Sequence, residues 1–89
     1  MRLVWSEQSW SDYLHWQASD PNMLHKINGL IRECLLTPSV GTGKPEPLKG
    51  DFKGFWSRRI TGEHRLVYRV SGAGDAQELQ IAACRYHYR

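Results

Sequence analysis

The sequence predicts an α+β domain in which two N-terminal helices pack on one face of a mostly antiparallel sheet. Three observations support this fold class. Apolar residues recur at helical spacing over much of the first 36 residues. Strand-like segments joined by glycine-containing turns fill residues 54–86. Repeats and linker-like stretches are absent from the 89 residues, so we interpret residues 1–89 as a single domain.

Two helix start signals divide the N-terminal part of the chain. Ser6 is a favourable N-cap, and the spacing that follows it predicts a helix over residues 7–17. Asp20 followed by Pro21 predicts a second helix over residues 21–36. One side of the first helix is apolar, and we expect this side to pack on the sheet. Its residues are Trp10, Tyr13 and Leu14.

Four segments have the composition and alternation of strands. They are residues 2–5, 54–60, 63–70 and about 78–86. Thr61-Gly62 predicts a hairpin turn between the second and third of these strands. Residues 38–53 are rich in glycine and proline, and we expect them to form a loop.

The positive charge is concentrated in the second half of the chain. Residues 1–48 carry four Lys and Arg against five Asp and Glu, whereas residues 49–89 carry eight against four. Most of the cations in the second half are arginines interleaved with aromatic residues. Arginine binds phosphate bidentately and stacks on bases, so this composition favours RNA or an acidic protein as the partner.

The cysteine pattern and the hydropathy indicate a cytoplasmic protein. Cys34 and Cys84 lie within apolar runs and lack metal-ligand spacing, so both are predicted to be reduced core residues. The sequence has neither the pattern of a signal peptide nor that of a transmembrane segment. We therefore expect no metal, no cofactor and no membrane partner.

The predicted hairpin brings two arginines together on one face of the sheet. Depending on the length of the turn, either Arg58 or Arg59 lies directly opposite Arg65. Like charges directly opposed destabilise a sheet, so this arrangement favours an anion bound between the two guanidinium groups. The alternative is an edge strand from which both arginines extend into water.

Two residues are candidates for acid–base chemistry. His87 follows the apolar run of the last strand and lies between Tyr86 and Tyr88. Its imidazole titrates near about 6.5 when free, which suits a general acid at neutral pH. Glu46 lies between two prolines that restrict its backbone, and a free glutamate is ionised at neutral pH, so it is a candidate base.

Five sequence motifs cover most of the chain. They are LVWSE at 3–7, GKPEPLK at 43–49, GFWSRRIT at 54–61, EHRLVY at 63–68 and AACRYHY at 82–88. In this order they resemble the YoeB toxins of bacterial type II toxin–antitoxin systems, within the RelE-like superfamily. Motifs of this length and order are highly specific.

The resemblance implies a fold similar to small microbial ribonucleases and a ribosome-dependent mRNA endonuclease that acts in the ribosomal A site. It also implies inhibition by a YefM-type antitoxin, homodimers, and contact with operator DNA only through the antitoxin complex. Glu46 matches the family's catalytic carboxylate and Arg65 its phosphate-binding arginine. His87 and Tyr88 match the C-terminal pair that completes the site. The basic residues that assist the phosphate match Lys49 and Arg59.

The chain departs from the family pattern at two places. The turn at residues 72–78 is longer than usual, and the chain continues to Arg89 after the tyrosine. The alternative function is a non-catalytic inhibitor that binds RNA or the ribosome. Such a binder would need the arginines but not Glu46, whose charge repels RNA. A DNA-binding regulator is disfavoured because the basic residues lie on strands and helix-turn-helix spacing is absent.

The N-terminal part of the chain is rich in tryptophan. Trp5 lies on a short strand and Trp16 falls outside the apolar side of the first helix, so we expect one of them to stay near the surface. Exposed tryptophan is enriched at interfaces, which favours a homodimer through this aromatic end. The alternative is that neighbouring side chains cover both rings.

Overall fold

Two α-helices and a five-stranded sheet form the fold within residues 1–87, the part of the chain that the computed structural model describes. The helices are α1 (Glu7–Ser19) and α2 (Pro21–Cys34). The strands are β1 (Arg2–Trp5), β2 (Glu46–Pro47), β3 (Trp56–Arg59), β4 (Arg65–Ser71) and β5 (Glu78–Ala83). Their order across the sheet is β1-β5-β4-β3-β2; β1 pairs with β5 in parallel, and the other pairs are antiparallel. The predicted fold class is confirmed.

Both helices begin where the sequence predicts, because each start has a capping side chain. The Ser6 hydroxyl accepts a hydrogen bond from the Ser9 N–H at 3.1 Å, and the Ser9 hydroxyl accepts one from the Ser6 N–H at 2.9 Å. The Asp20 carboxylate accepts hydrogen bonds from the N–H groups of Asn22 and Met23 at 3.1 and 3.2 Å. These caps place the break between α1 and α2 at Asp20.

The core lies between the helices and one face of the sheet. α2 contributes a continuous apolar side, and β4 and β5 contribute alternate residues. The buried residues of these three elements include Met23, Ile27, Leu30, Ile31, Cys34, Leu66, Tyr68, Leu79 and Ile81. Cys34 and Cys84 are both buried, and neither is part of a disulfide within residues 1–87, which confirms their predicted place in the core.

α1 packs differently from the prediction. Its buried residues are Ser9, Asp12 and Trp16. Trp10 and Leu14 are instead 46% and 42% exposed. The Asp12 carboxylate accepts a hydrogen bond from the Cys84 N–H at 3.0 Å, and Trp16 Nε1 donates one to the Cys84 carbonyl at 2.8 Å. The expected packing of this side holds for Tyr13, which packs against the core, and Trp10 keeps a contact with Trp5 of β1 at 5.7 Å between ring centroids. Trp10 and Leu14 nevertheless stay outside the core, because the polar anchors set the orientation of the helix.

The loop predicted over residues 38–53 contains regular structure. Glu46 and Pro47 form β2, which pairs with β3 at the edge of the sheet. Residues 50–52 form a short 3-10 helix. Glu46 therefore lies on a short strand rather than on a free loop. The sequence pattern missed this strand because a two-residue pairing flanked by proline leaves no alternation to detect.

Arg58 has a fully buried side chain. Its guanidinium donates hydrogen bonds to the carbonyl groups of Val40 at 2.9 Å, Thr42 at 3.2 Å, and Thr37. Buried charges need such partners, because an unpaired ion in the core costs several kcal/mol, on the order of the whole stability of a small domain. These bonds fasten the segment 37–42 to β3.

Tyr68 and Glu33 complete the network around Arg58. The Tyr68 hydroxyl accepts a hydrogen bond from Arg58 Nε at 3.1 Å and donates one to the Pro38 carbonyl. Glu33 accepts a hydrogen bond from the Thr42 N–H at 2.7 Å and lies 3.3 Å from Arg58 Nη1. Burial raises the pKa of Tyr68 to about 12, and the Thr42 N–H lowers the pKa of Glu33. At neutral pH the phenol is therefore neutral and the carboxylate is ionised, as these bonds require.

We expect Arg58→Ala to lower the free energy of unfolding by about 3 kcal/mol, because it leaves buried carbonyl groups without a donor. Arg59→Ala is the matched control: the neighbouring side chain is exposed, and its loss should change the free energy of unfolding by no more than about 0.5 kcal/mol. Urea unfolding followed by tryptophan fluorescence measures both. Equal losses for the two variants would contradict this role of Arg58.

Candidate active site

A basic cleft of about 170 Å³ opens on the face of the sheet that the helices do not cover. Its lining residues are Lys44, Glu46, Ser57, Arg59, Arg65 and His87. Four predicted site residues thus come together from distant parts of the chain. They are Glu46, Arg59, Arg65 and His87.

The other two predicted site residues have different positions. Lys49 is exposed and precedes the 3-10 helix Gly50–Phe52, and it is not part of the cleft lining within residues 1–87. Tyr88 lies outside the described residues, and so does Arg89. The roles suggested for Lys49 and Tyr88 therefore stay predictions.

Lys44 and Ser57 line the cleft, although the sequence analysis did not single them out. Strand alternation could have identified Ser57, which lies two residues before Arg59 and directly opposite Glu46. Lys44 offered no such signal. Its φ of 52° is in the left-handed region, so a local turn of the backbone decides where this residue lies.

The register between β3 and β4 positions the cleft arginines. Arg59 lies directly opposite Arg65, which resolves the choice that the hairpin left open. Because side chains alternate along β3, Arg58 lies on the opposite face of the sheet, where the helices pack, and is buried there. The two arginines of the cleft are thus a cross-strand pair of like charges, an arrangement that an anion between them would stabilise.

Arg65 is only 8% exposed, yet it lines the cleft. Its Nη1 donates hydrogen bonds to the carbonyl groups of Thr61 at 2.7 Å, His64 at 3.1 Å and Gly62 at 3.2 Å. These bonds hold the guanidinium against the β3–β4 turn. A cation fixed in this way is preorganised for a phosphate, because little side-chain freedom is lost on binding.

The chain turns back after β5 and brings His87 to the cleft. Tyr86 has a φ of 64°; its N–H donates a hydrogen bond to His64 Nδ1 at 2.8 Å, and its carbonyl accepts one from the Arg65 N–H at 2.9 Å. His64 packs edge to face on Trp16, with 4.8 Å between the ring centroids. His64 therefore supports the backbone next to His87, a role that no sequence pattern indicated.

The cleft combines a carboxylate, several cations and an imidazole. Together these groups can accept a proton, bind a phosphate and donate a proton. Within residues 1–87, no group of three or more His, Cys, Asp or Glu side chains is placed to hold a metal ion. Neither α1 nor α2, the α-helices of this part of the chain, has the length and apolar character of a membrane-spanning segment.

Comparison with known proteins assigns the family. Residues 5–88 match the model of the YoeB-like toxin of bacterial type II toxin–antitoxin systems. The chain belongs to this family. It is 59% identical over 88 residues to Toxin YoeB of Escherichia coli K12, an alignment that covers 99% of this chain and 100% of the relative. The resemblance given by the sequence motifs is confirmed.

Solved structures of YoeB toxins have the same fold. A YoeB/ParE toxin from Agrobacterium tumefaciens matches this toxin with a TM-score of 0.95 at 60% identity, covering 99% and 100% of the two chains. A YoeB–YefM complex and a YoeB dimer, both from Staphylococcus aureus, match with TM-scores of 0.86 and 0.85. Each is 40% identical, and each match covers 99% of this chain and 98% of the other.

We expect inorganic phosphate to bind the cleft and to raise the melting temperature by mass action. Arg59→Ala should weaken phosphate binding about tenfold, because it removes one charge-assisted contact. Arg32→Ala is the control, since it removes an exposed arginine from the last turn of α2. Melting curves over a phosphate series measure the effect. Equal responses of the two variants to phosphate would show that the cleft is not the anion site.

Proposed function

We propose that this toxin is a ribosome-dependent endonuclease that cuts mRNA in the ribosomal A site and thereby inhibits translation. The proposal rests on one observation above all: a carboxylate, an opposed arginine pair and an imidazole line the same cleft, in Glu46, Arg59, Arg65 and His87. A protein that only binds RNA would gain nothing from a carboxylate there, because its charge repels the phosphates. Membership of a toxin family supports the same conclusion.

In the proposed reaction, RNA supplies the nucleophile. Glu46 takes the proton of the 2′-hydroxyl, and the oxygen attacks the adjacent phosphorus. The pentacoordinate phosphorus carries more negative charge than the substrate. Arg65 and Arg59 stabilise this charge, and Lys44 is a third cation that lines the cleft.

The second proton transfer accompanies cleavage of the RNA strand. As the bond from phosphorus to the 5′-oxygen breaks, protonated His87 gives its proton to that oxygen. The products are a 2′,3′-cyclic phosphate and a 5′-hydroxyl, and the proton taken by Glu46 passes to solvent. By resemblance, we assign Tyr88 the role of orienting the substrate beside His87, and Lys49 a contact with the RNA backbone next to the cleft.

We expect the downstream fragment of the mRNA to carry a 5′-hydroxyl and the upstream fragment a 2′,3′-cyclic phosphate or a 3′-phosphate. The reason is that the attacking group is the 2′-hydroxyl of the RNA itself. Translating ribosomes are incubated with the toxin, and the ends are mapped by ligation and kinase treatment. A 5′-phosphate on the downstream fragment, or cleavage that stops when EDTA is added at a concentration that leaves the ribosomes intact, would refute this mechanism.

Two variants separate cleavage from binding in the same assay. His87→Gln should lower the cleavage rate about 10²–10⁴-fold and leave ribosome binding nearly unchanged, because a general acid acts mainly on the rate. Glu46→Ala should also slow cleavage, while RNA binding stays equal or becomes slightly tighter. Wild-type cleavage by Glu46→Ala would show that this residue is not the base. If wild-type toxin inhibits translation without cutting mRNA, it is a non-catalytic binder.

We propose that an acidic segment of a YefM-type antitoxin neutralises the toxin by covering the basic cleft. A relative from Staphylococcus aureus has been solved as a YoeB–YefM complex, which supports this partner. Contact with operator DNA would then occur only through the antitoxin. Because mRNA on ribosomes is the proposed substrate, we place the protein in the cytoplasm.

We also propose a homodimer through an aromatic surface on α1 and β1. Trp16, one of the two candidates from the sequence, is only 7% exposed and belongs to the core, and Trp5 is half-buried. The exposed ring is that of Trp10, which stacks on Tyr13 with 5.8 Å between centroids. Leu14 extends this patch. A YoeB dimer of Staphylococcus aureus has been solved, which supports self-association.

We expect Trp10→Ala to weaken dimerisation at least about tenfold, because a tryptophan at the centre of an interface is often a hot spot. Light scattering over a concentration series measures the dissociation constant. Leu36→Ala is the control, since Leu36 is 81% exposed, follows the end of α2 and is not part of the patch on α1. A wild-type chain that stays monomeric through the micromolar range would contradict the dimer.

A further inference from the structure

A second feature of the open face of the sheet is a row of side chains across four neighbouring strands or strand ends. Arg69 on β4 lies opposite Gln80 on β5, which lies opposite Val4 on β1. Phe55 comes directly before β3 and contacts Arg69. We call this set the Phe55–Arg69 row. It lines a groove of about 220 Å³ that shares no lining residue with the basic cleft.

The side chains of this row hold Arg69 in place. The guanidinium carbon lies 4.9 Å from the centroid of the Phe55 ring, a cation–π contact. Arg69 Nε donates a hydrogen bond to Gln80 Oε1 at 2.6 Å, and Gln80 Nε2 donates one to Glu78 at 3.0 Å. Glu78 is itself paired with Arg2. A chain of contacts across the sheet therefore orients an exposed guanidinium group.

The terminal nitrogens of Arg69 are available for a ligand. Nε bonds to Gln80, but Nη1 and Nη2 have no hydrogen-bond partner within residues 1–87. The side chain is exposed, unlike the buried Arg58 and Arg65. An exposed planar cation that also contacts an aromatic ring is suited to stack on a nucleobase or to bind a phosphate.

The row and the basic cleft lie on the same face and along the same two strands. Arg65 and Arg69 are four residues apart on β4, and Phe55 and Arg59 are four residues apart around β3. Even spacing keeps them on one face, at a distance of about 13 Å along the strand direction. An RNA strand whose scissile phosphate lies between Arg59 and Arg65 can therefore extend over the row.

We propose that the Phe55–Arg69 row is a subsite for a nucleotide that flanks the cleavage point of the RNA. The base of that nucleotide stacks on the Arg69 guanidinium, which the cation–π contact with Phe55 holds in place. The terminal nitrogens of Arg69 contact a neighbouring phosphate. This inference rests on the proposed function and extends it from the reacting phosphate to the substrate strand. RNA is favoured over a protein helix as the occupant, because the exposed cation of this surface lies on the same strand and the same face as the basic cleft.

The subsite contributes to binding and is remote from the reacting atoms. Its loss should therefore raise KM and leave the cleavage rate at saturation nearly unchanged. Stacking of one base on an aromatic or guanidinium platform changes affinity about tenfold or more. The base that stacks must be unpaired, which matches a single-stranded codon rather than a duplex.

The test uses ribosomes programmed with synthetic mRNAs that carry one abasic nucleotide at each position around the cleavage point. With wild-type toxin, an abasic nucleotide at one flanking position should raise KM about tenfold. Arg69→Gln should raise KM for the normal mRNA by a similar factor. It should add little further when the mRNA is already abasic at that position, because both changes remove the same contact. This non-additivity identifies the nucleotide.

Matched variants separate stacking from charge and from folding. Arg69→Lys keeps the charge but loses the planar group, so it should lose the sensitivity to the abasic position. Phe55→Leu keeps apolar volume under the cation and should give a smaller rise in KM than Arg69→Gln. Arg32→Ala, which removes an exposed arginine from α2, should behave like the wild type. The melting temperature of each variant is measured so that changes in folding are recognised.

A separate binding measurement distinguishes this inference from the proposed function. The anisotropy of a labelled single-stranded RNA is measured with His87→Gln and with His87→Gln combined with Arg69→Gln. Weaker binding of the double variant supports the subsite even if the wild type proves unable to cleave, in which case the proposed function alone fails. Unchanged KM and unchanged RNA affinity, or a loss confined to antitoxin affinity, would overturn the subsite.

Discussion

The buried guanidinium of Arg58 organises the part of the fold that carries the cleft. It donates hydrogen bonds to carbonyl groups of the segment 37–42 and thereby holds that segment against β3. The same segment leads to Lys44 and Glu46, so the position of the cleft carboxylate follows from a charge buried on the opposite face of the sheet. Hydrogen bonds and the nearby carboxylate of Glu33 offset the desolvation of this ion.

Gly43 shows how closely that segment approaches β3. Its carbonyl accepts a hydrogen bond from the Arg59 N–H at 2.7 Å, and its φ is 87°. A Cβ at this position would lie 2.8 Å from the Arg59 carbonyl oxygen, so glycine alone fits without a shift of the backbone. The close approach places Lys44 and Glu46 beside the arginine pair, and the local geometry of one glycine thereby contributes to the site.

Strand alternation gives neighbouring residues opposite roles. Arg58 stabilises the fold from within, whereas Arg59, the next residue, faces the cleft. The same alternation on β4 places Arg65 and Arg69 on the open face, where one belongs to the cleft and the other to the Phe55–Arg69 row. A small sheet with one face uncovered can thus present guanidinium groups at two separate places on that face without exposing its core.

The fold class, the cap at Asp20, the apolar side of α2 and the family could all be predicted from the sequence, because they follow from local periodicity and long motifs. Three features could not be predicted in this way: which of two adjacent arginines faces the cleft, how α1 packs, and how His87 reaches the site. Those features depend on register, on a buried charge and on backbone hydrogen bonds between residues far apart in the chain. None of these leaves a periodic signal, so a pattern in the sequence does not reveal them.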